Sequence, residues 1–272
     1  MIDEGDTIHI GYGIFNLHAF SFQDKAIHLI GRFNPAVTKL IWQTRYNEGG
    51  NVINDESFIA FDGGSLQNVT VESAVGEIGG GVKMTGNAVL KHCIIKECTA
   101  TANPALTKGL GGAVFMSDNA SMTNCIVQND STFLTHAGIY IDEFGIGTKI
   151  TNCVIYNNHL VSRTTDAMVQ NCIFYGAEDY PYPFYPNFYK GTNATVRYSS
   201  AGPAWHGVDT TNVLGDPKFF NSPRNFYLNM DSPCINAGNP KFSFNDIDGT
   251  RNDIGAFGGP EGDWYKVRLY EQ

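Results

Sequence analysis

The sequence predicts a single-domain, all-β solenoid, a right-handed parallel β-helix with an irregular C-terminal cap, and three observations lead to this fold. A phrase made of an apolar residue, a polar residue, Asn, Cys and a β-branched pair recurs over 66–172 at steps of 24, 32, 28 and 19 residues. Its third position is occupied by Asn68, His92, Asn124, Asn152 and Asn171. A glycine-led phrase precedes it as Gly81-Val-Lys-Met84, Gly112-Ala-Val-Phe-Met116 and Gly138-Ile-Tyr-Ile141. The strands are short and helical spacing is missing, and a period of roughly 20–45 residues with such strands is typical of solenoids.

The period is longer than the hexapeptide repeat of some β-helices and less regular than a leucine-rich repeat. A single coil cannot bury its apolar face, so coils must stack with strands about 4.8 Å apart. Stacking predicts an asparagine ladder through Asn124, Asn152 and Asn171. It also predicts an inward column of reduced thiols formed by Cys93, Cys125, Cys153 and Cys172.

Composition limits the classes of partner. The 272-residue chain carries a formal net charge of −9, which argues against nucleic acid. Its apolar runs stay shorter than the roughly 18 residues of a membrane span. The acidic start, Met1-Ile-Asp-Glu, lacks a signal-peptide pattern, so we expect a cytoplasmic chain or the mature segment of an exported one. We expect a monomer.

The domain divides into three parts. Residues 1–57 form the opening coils, 58–176 the regular coils, and 177–272 the aromatic loops, the last coil and the cap. Alternating residues predict strands at 5–10, 26–31 and 38–42. Within them, His9 and His28 are expected to face solvent.

The first strand of each regular coil places residues in columns, because side chains alternate between the two faces of a strand. Two inward columns are predicted: Ile59, Val82, Val114 and Ile139, and then Phe61, Met84, Met116 and Ile141. The first outward column contains Ala60, Lys83, Phe115 and Tyr140. The second outward column contains Asp62, Thr85, Ser117 and Asp142.

The connections between strands are unequal. Long return loops are predicted at 98–109, 129–137 and 157–164 on one edge, and they serve either binding or simple insertion tolerance. The segment 179–190 is rich in aromatic residues and proline, and Trp205 follows it. These rings form either a surface for sugars or partners, or a lid over the open end of the core.

The two ends of the chain carry a family resemblance. The phrases "GDTIHIGYGIFN" and "KAIHLIG" open the chain, and five more follow in order over 171–262: "NCIFYG", "ATVRYSSAGPAWHG", "GDPKFF", "FYLNMDSPCINAG" and "DIDGTRNDIGAFGGPEG". This succession resembles the choice-of-anchor Q group of bacterial right-handed β-helix repeat proteins. The resemblance implies a secreted or cell-surface location, and it implies no single activity, because architecture defines the group.

One acidic loop is a candidate metal site. Asp246, Asp248 and Asp253 offer carboxylates that suit a structural Ca²⁺ ion. The loop departs from the EF-hand pattern, and the alternative is an Asx-rich turn in which Arg251 pairs with an aspartate. No cofactor is required by either interpretation.

Two functional hypotheses follow. The first is an extracellular, carbohydrate-associated module that binds or displays a polysaccharide or cell-surface glycan. Lys83, Phe115 and Tyr140 would bind it, with rings stacked on sugar faces and Lys83 meeting an acidic group.

The second hypothesis is a polysaccharide lyase or glycoside hydrolase acting on an acidic glycan at the same outward face. Its candidate catalytic residues are Lys83, His136, Tyr140, Asp142 and Glu143. The known sequence patterns of polygalacturonases and pectate lyases are not recognisable. A cleft with converging ionisable groups would favour the enzyme, and a flat, alternating face would favour the module.

Overall fold

Three long parallel sheets run side by side through the computed structural model, which describes residues 3–22, 25–46, 52–53, 57–101, 110–132, 137–176, 194–201 and 209–265. Each turn of the chain adds one strand to each sheet in succession, so the fold is a parallel β-helix and the predicted fold class is confirmed. The right hand predicted from the sequence is the one that about 98% of parallel crossover connections adopt.

Sheet A begins each coil. Its strands are β1 (Thr7–Ile10), β4 (His28–Gly31), β9 (Ser65–Gln67), β13 (Val89–Lys91), β17 (Ser121–Thr123), β21 (Lys149–Thr151), β24 (Met168–Gln170) and β26 (Thr195–Arg197). Sheet B follows with β2 (Gly13–Leu17), β5 (Thr38–Trp42), β10 (Thr70–Glu72), β14 (Ile94–Lys96), β18 (Ile126–Gln128), β22 (Val154–Tyr156), β25 (Ile173–Tyr175), β27 (Ser200–Ala201) and β28 (Val213–Leu214).

Sheet C closes each coil. Its strands are β3 (Phe20–Phe22), β8 (Ile59–Asp62), β12 (Val82–Thr85), β16 (Val114–Met116), β20 (Ala137–Ile141) and β23 (His159–Ser162). A small parallel sheet joins β11 (Val75–Gly76), β15 (Thr99–Ala100) and β19 (Ser131–Thr132). The antiparallel pairs are β6 (Arg45–Tyr46) with β7 (Val52–Ile53) and β29 (Phe219–Asn221) with β30 (Asn225–Leu228). Short 3-10 turns lie at Pro35–Val37 and Phe242–Phe244.

The sheets enclose the predicted core. In sheet C, Val82 pairs with Ile59 on one side and Val114 on the other, and Ile139 continues the column. The inward columns are therefore confirmed. All six cysteines are buried and free, including the predicted column. The thiol of Cys125, for example, donates to the carbonyl oxygen of Thr123 at 3.2 Å.

The recurring Asn occupies the bend between sheets A and B. The residue at this bend has a left-handed backbone in each coil from Asn68 to Tyr198, with φ between 49° and 57°. Asn tolerates this conformation better than most residues. Nδ2 of Asn171 donates to Oδ1 of Asn152 at 3.0 Å. Nδ2 of Asn124 donates instead to the carbonyl oxygens of Ala256 and Gly258, both at 2.9 Å. The ladder through all three Asn residues thus stays a prediction.

One of the predicted return loops differs from the structure. The segment 157–164 was predicted as a return loop, and it contains β23, which adds a further strand to sheet C. That loop prediction is wrong, because four consecutive residues from His159 to Ser162 are buried and pair with β20. The loop residues 102–109 and 133–136, the aromatic segment 177–193 and Trp205 lie outside the described residues.

Residues 219–265, which we call the C-terminal segment, lie along the outer face of sheet B. Residues of this segment and outward residues of sheet B together form a second apolar core outside the solenoid, with the members Ile126, Val154, Ile173, Phe226, Cys234, Ile254 and Ala256. The approach is close: a Cβ atom on Gly259, whose φ is +83°, would lie 2.5 Å from Nδ2 of Asn152. The predicted cap is therefore, in its described part, a lateral cover. None of the described residues belongs to a helix long and apolar enough to cross a membrane.

Candidate functional site

The first outward column is covered. Phe115 and Tyr140 stack on each other with ring centroids 6.0 Å apart, and they are only 8% and 4% exposed. Ile78 and Leu110 pack over them. Alternation correctly places the column on the outer face, but the expectation of exposed rings is wrong, because side chains from outside the column bury them. Lys83 lies half-buried between Ala60 and Phe115.

The other candidates on this face have local contacts. The hydroxyl of Tyr140 accepts a hydrogen bond from Nε of Arg163 at 3.1 Å. Oδ1 of Asp142 accepts from the backbone N–H of Phe144 at 3.0 Å, and burial raises the pKa of this carboxyl. Glu143 is exposed, and His136 lies outside the described residues. Phe115 and Tyr140 are thus covered by other side chains of the described part of the chain, and the choice between enzyme and module stays open on this face.

The carboxylates of the acidic loop accept hydrogen bonds from nearby backbone N–H groups. Asp246 accepts from the N–H groups of Asp253, at 3.0 Å, and Gly259. Oδ1 of Asp253 accepts from the N–H of Asn236 at 2.7 Å. Oδ1 of Asp248 accepts from Thr250. Within the described part of the chain, no three His, Cys, Asp or Glu side chains converge where a metal could bind, so Ca²⁺ stays a prediction.

Arg251 completes the turn in a different way from the one predicted. Its Nε donates to the carbonyl oxygen of Gly238 at 2.7 Å, and its Nη2 donates to that of Ala237 at 3.0 Å. The pairing of Arg251 with an aspartate is therefore wrong. The guanidinium is a planar set of five N–H donors, and two neighbouring backbone carbonyls accept from two of its nitrogens here.

The same loop borders an acidic cavity of about 580 Å³, whose other walls include Tyr227 and Phe257. Burial, together with the charges of Asp253 and Asp248, raises the pKa of Asp246 to about 6, against the two backbone hydrogen bonds that lower it. Since the two bonded oxygens of Asp246 fix the loop in place, we assign this carboxyl an architectural role.

A second cavity, of about 400 Å³, lies between sheet B and the C-terminal segment, and we call it the lateral groove. Ala36 and outward residues of sheet B and its bend form one wall: Lys39, Thr70, Ile94, Lys96, Glu97, Ile126, Gln128 and Asn129. The C-terminal segment forms the other wall with Pro223, Arg224, Asn225, Phe226, Phe257 and Tyr265.

Two lysines that line the lateral groove, Lys39 and Lys96, form an ion triad with Glu72, which lies beside them on sheet B. Oε1 of Glu72 lies 3.0 Å from Nζ of Lys96, and Oε2 lies 3.1 Å from Nζ of Lys39. Strand register produces this arrangement, because Glu72 and Lys96 are direct partners and Lys39 pairs with Thr70 beside them. Burial alone would raise the pKa of Glu72, but its contacts with Lys96 and Lys39 outweigh burial and lower it. One carboxylate between two ammonium groups leaves one positive charge in excess.

Stacked aromatic rings hold the C-terminal wall of the groove in place. Tyr227 stacks on Phe257 at 4.1 Å, Phe257 on Trp264 at 5.5 Å, and Trp264 on His92 at 5.6 Å. The indole N–H of Trp264 donates to the carbonyl oxygen of Ala256 at 2.6 Å. Burial lowers the pKa of His92 to about 4, so its ring is neutral at pH 7 and stacks as an uncharged face. The groove is thus bounded by a fixed wall.

Sequence reasoning did not identify the lateral groove, although a signal was present. Ile94, Ile126, Val154 and Ile173 occupy outward positions of sheet B. Apolar residues repeated at an outward position of successive strands indicate that another segment covers them. Lys39, Glu72 and Lys96 lie on three successive coils at the edge of that apolar strip.

Fold and site together define a parallel β-helix with a groove along its flank. No family model and no curated protein matches the chain, so the resemblance to the choice-of-anchor Q group stays a prediction. Among solved structures, the chain is similar to a pectin methylesterase from Aspergillus niger, at 12% identity and a TM-score of 0.48 over 78% of this chain and 76% of that one.

Two further structures are pectin methylesterases in complex with hexasaccharides, one of them a mutant enzyme. The mutant is 11% identical with a TM-score of 0.35, and the other is 12% identical with a TM-score of 0.36. Both alignments cover 79% of this chain and 73% of the other. Identities and TM-scores this low transfer neither a fold assignment nor an activity to this chain.

Proposed function

We propose that this protein is an extracellular β-helix module that binds polysaccharide, and that the lateral groove is its binding site. The observation that carries the proposal is the composition of the groove, in which aromatic and aliphatic faces meet amine, guanidinium and amide donors. Saccharides present both kinds of surface, since C–H groups cover the faces of a sugar ring and hydroxyls surround its edge.

The dimensions of the groove suit a sugar. Its volume of about 400 Å³ falls within the range of small-molecule sites. Polar side chains on one wall come from successive coils, with Lys39, Lys96 and Gln128 each on a different strand of sheet B. Adjacent strands are about 4.8 Å apart, so these groups repeat along the solenoid axis and match a ligand that is itself a repeating chain.

The hydrogen-bond donors of the groove are only partly used by contacts within the protein. Each lysine ammonium has three N–H bonds, and Glu72 occupies only part of that capacity on Lys39 and Lys96. Arg224 is exposed in the turn before β30, opposite sheet B. Tyr265 adds a half-buried ring whose phenol has its pKa raised by burial, so it remains a neutral hydrogen-bonding group at pH 7.

The extracellular location and the monomeric state belong to the proposal. The choice-of-anchor Q resemblance supports the first, since that group is typically secreted or surface-attached. Reduced, buried cysteines are compatible with either compartment, because their burial shields them from oxidants.

A glycan array with wild-type protein and two groove variants tests the proposal. Arg224→Ala and Gln128→Ala should lose affinity for the glycans that the wild type retains, whereas Lys149→Ala should bind like the wild type, because Lys149 is exposed on sheet A. Equal binding by all variants would place the ligand elsewhere. Loss of binding only in Tyr140→Ala, with an unchanged melting temperature, would return the site to the first outward column.

The bound glycans should then be incubated with the protein and assayed for unsaturated products by ultraviolet absorbance and for new reducing ends. A binding module leaves the polymer intact. Cleavage would replace the module with the lyase or hydrolase hypothesis.

A further inference from the structure

The ion triad suggests which glycans the lateral groove selects. We propose that the groove recognises a negatively charged saccharide, with a carboxylate or sulfate group on the sugar, and that Lys39, Lys96 and Arg224 bind that charge. This inference rests on the proposed function, because it names the ligand class for the same site.

The local charge of the groove is opposite to that of the protein. The chain carries a formal net charge of −9. The groove is nevertheless lined by three cations, Lys39, Lys96 and Arg224, and one anion, Glu97. Glu72, which pairs with both lysines, adds a second anion beside it, so one positive charge remains in excess. A positive site on an acidic protein attracts anions locally while the rest of the surface repels them, which restricts binding of an acidic polymer to this site.

Glu72 marks where an anionic group binds best. Its carboxylate lies between two ammonium groups at 3.0 and 3.1 Å, the distances of charge-assisted contacts. The side chains of Glu72, Lys96 and Lys39 are 18%, 20% and 31% exposed, so the triad is partly shielded from screening by salt. A ligand carboxylate can occupy remaining donor positions on the same two lysines and share their charge with Glu72.

Arg224 supplies the opposing contact. It lines the C-terminal wall, on the other side of the groove from the lysines, and it is exposed. A guanidinium binds a carboxylate or sulfate through two parallel N–H donors. The anionic group would therefore be held from both walls, which a neutral sugar cannot exploit.

The test compares polymers that differ only in charge. Binding to polygalacturonate is measured against its methyl ester, and binding to dextran sulfate against dextran, by isothermal titration at 50 mM and 500 mM NaCl. The charged member of at least one pair should bind more tightly than its neutral partner, and high salt should reduce the difference. The first pair reports a carboxylate and the second a sulfate.

Charge-changing variants with opposite expected signs locate the effect. Lys96→Gln and Arg224→Gln should each weaken binding of the charged polymer by about three- to tenfold. Glu72→Gln removes the internal competitor and should strengthen it. Lys149→Gln makes the same charge change on an exposed strand of sheet A and should have no effect beyond a small change in long-range attraction.

The outcomes separate this inference from the proposed function. Equal binding of charged and neutral polymers would overturn the inference and leave the polysaccharide module in place. Binding of no polymer, together with no binding on the glycan array, would overturn both. Preference for charged polymers that survives Lys96→Gln and Arg224→Gln would overturn the placement in the groove, provided that thermal unfolding shows both variants folded.

Discussion

The side chain of Asn171 links the recurring bend between sheets A and B to the C-terminal segment. It is fully buried and its φ is 55°. Its Nδ2 donates to Oδ1 of Asn152 at 3.0 Å, and its Oδ1 accepts from the N–H of Asn239 at 2.8 Å. Replacement by alanine removes both hydrogen bonds and keeps a Cβ atom in a left-handed conformation.

The expected cost follows from these contacts. Leaving the buried N–H of Asn239 without its acceptor, and losing the bond to Asn152, should lower the free energy of unfolding by about 2–4 kcal/mol in Asn171→Ala. Asn171→Gly loses the same hydrogen bonds but adopts positive φ without strain, so it should be more stable than the alanine variant by about 1 kcal/mol.

Urea unfolding at pH 7, followed by circular dichroism, measures these differences. Thr151→Ala, in the neighbouring strand β21, serves as the control and should cost under about 0.5 kcal/mol. The reasoning fails if Asn171→Ala costs no more than the control. It also fails if the glycine variant matches the wild type, because the amide would then contribute nothing.

Three other predictions concern the thiols, the acidic loop and pH. Cys93, Cys125, Cys153 and Cys172 should resist alkylation in the native protein and react fully after denaturation without reductant, since they are buried and free; a disulfide-linked peptide in the mass spectrum would contradict this. Millimolar Ca²⁺ added to chelator-treated protein should raise Tm if Asp246, Asp248 and Asp253 coordinate it, because a ligand bound only to the native state stabilises by mass action. An unchanged Tm would contradict the calcium site and leave the backbone N–H bonds to these carboxylates as what holds the loop. Asp246 has a folded-state pKa of about 6 against an ordinary value of 3.8. Between these two pH values the native state binds more protons than the unfolded state. The contribution of Asp246 therefore favours folding as pH falls through 6 and is lost as pH rises. Asp246→Asn should therefore flatten the dependence of Tm on pH between 4 and 7, and a variant whose dependence equals that of the wild type would contradict the assignment.

The solenoid was predictable because its determinants are local and repeated. The alternation in 82–84, 114–116 and 139–141 fixed which residues face inward, and strand register confirms those columns. The Asn–Cys phrase located the bend, because Asn tolerates a left-handed backbone better than most residues. The second bend of each coil, at Ser73, Glu97, Asn129 and Asn157, was missed because different residue types occupy it.

The candidate site was not predictable in the same way. The alternation of side chains along a strand indicates on which face of the sheet a residue lies. It does not indicate which other segment covers that face. Phe115 and Tyr140 were expected to be exposed, and Ile78 and Leu110 bury them. The lateral groove depends on a segment about 130 residues downstream, as the bonds from Asn124 to Ala256 and Gly258 illustrate. No periodic pattern encodes that contact.

The lateral position of the C-terminal segment has a consequence for how the molecule unfolds. In a simple solenoid each coil contacts only its neighbours, so unfolding proceeds from the ends and stability is a sum of local terms. Here Lys91 is paired with Glu261 at 2.6 Å, Asn124 is bonded to Ala256, and Asn171 is bonded to Asn239. One segment therefore links coils that do not touch each other, and separating it should weaken them together. The middle of the solenoid should melt as one cooperative unit, and these contacts can form only after residues 239–261 have left the ribosome.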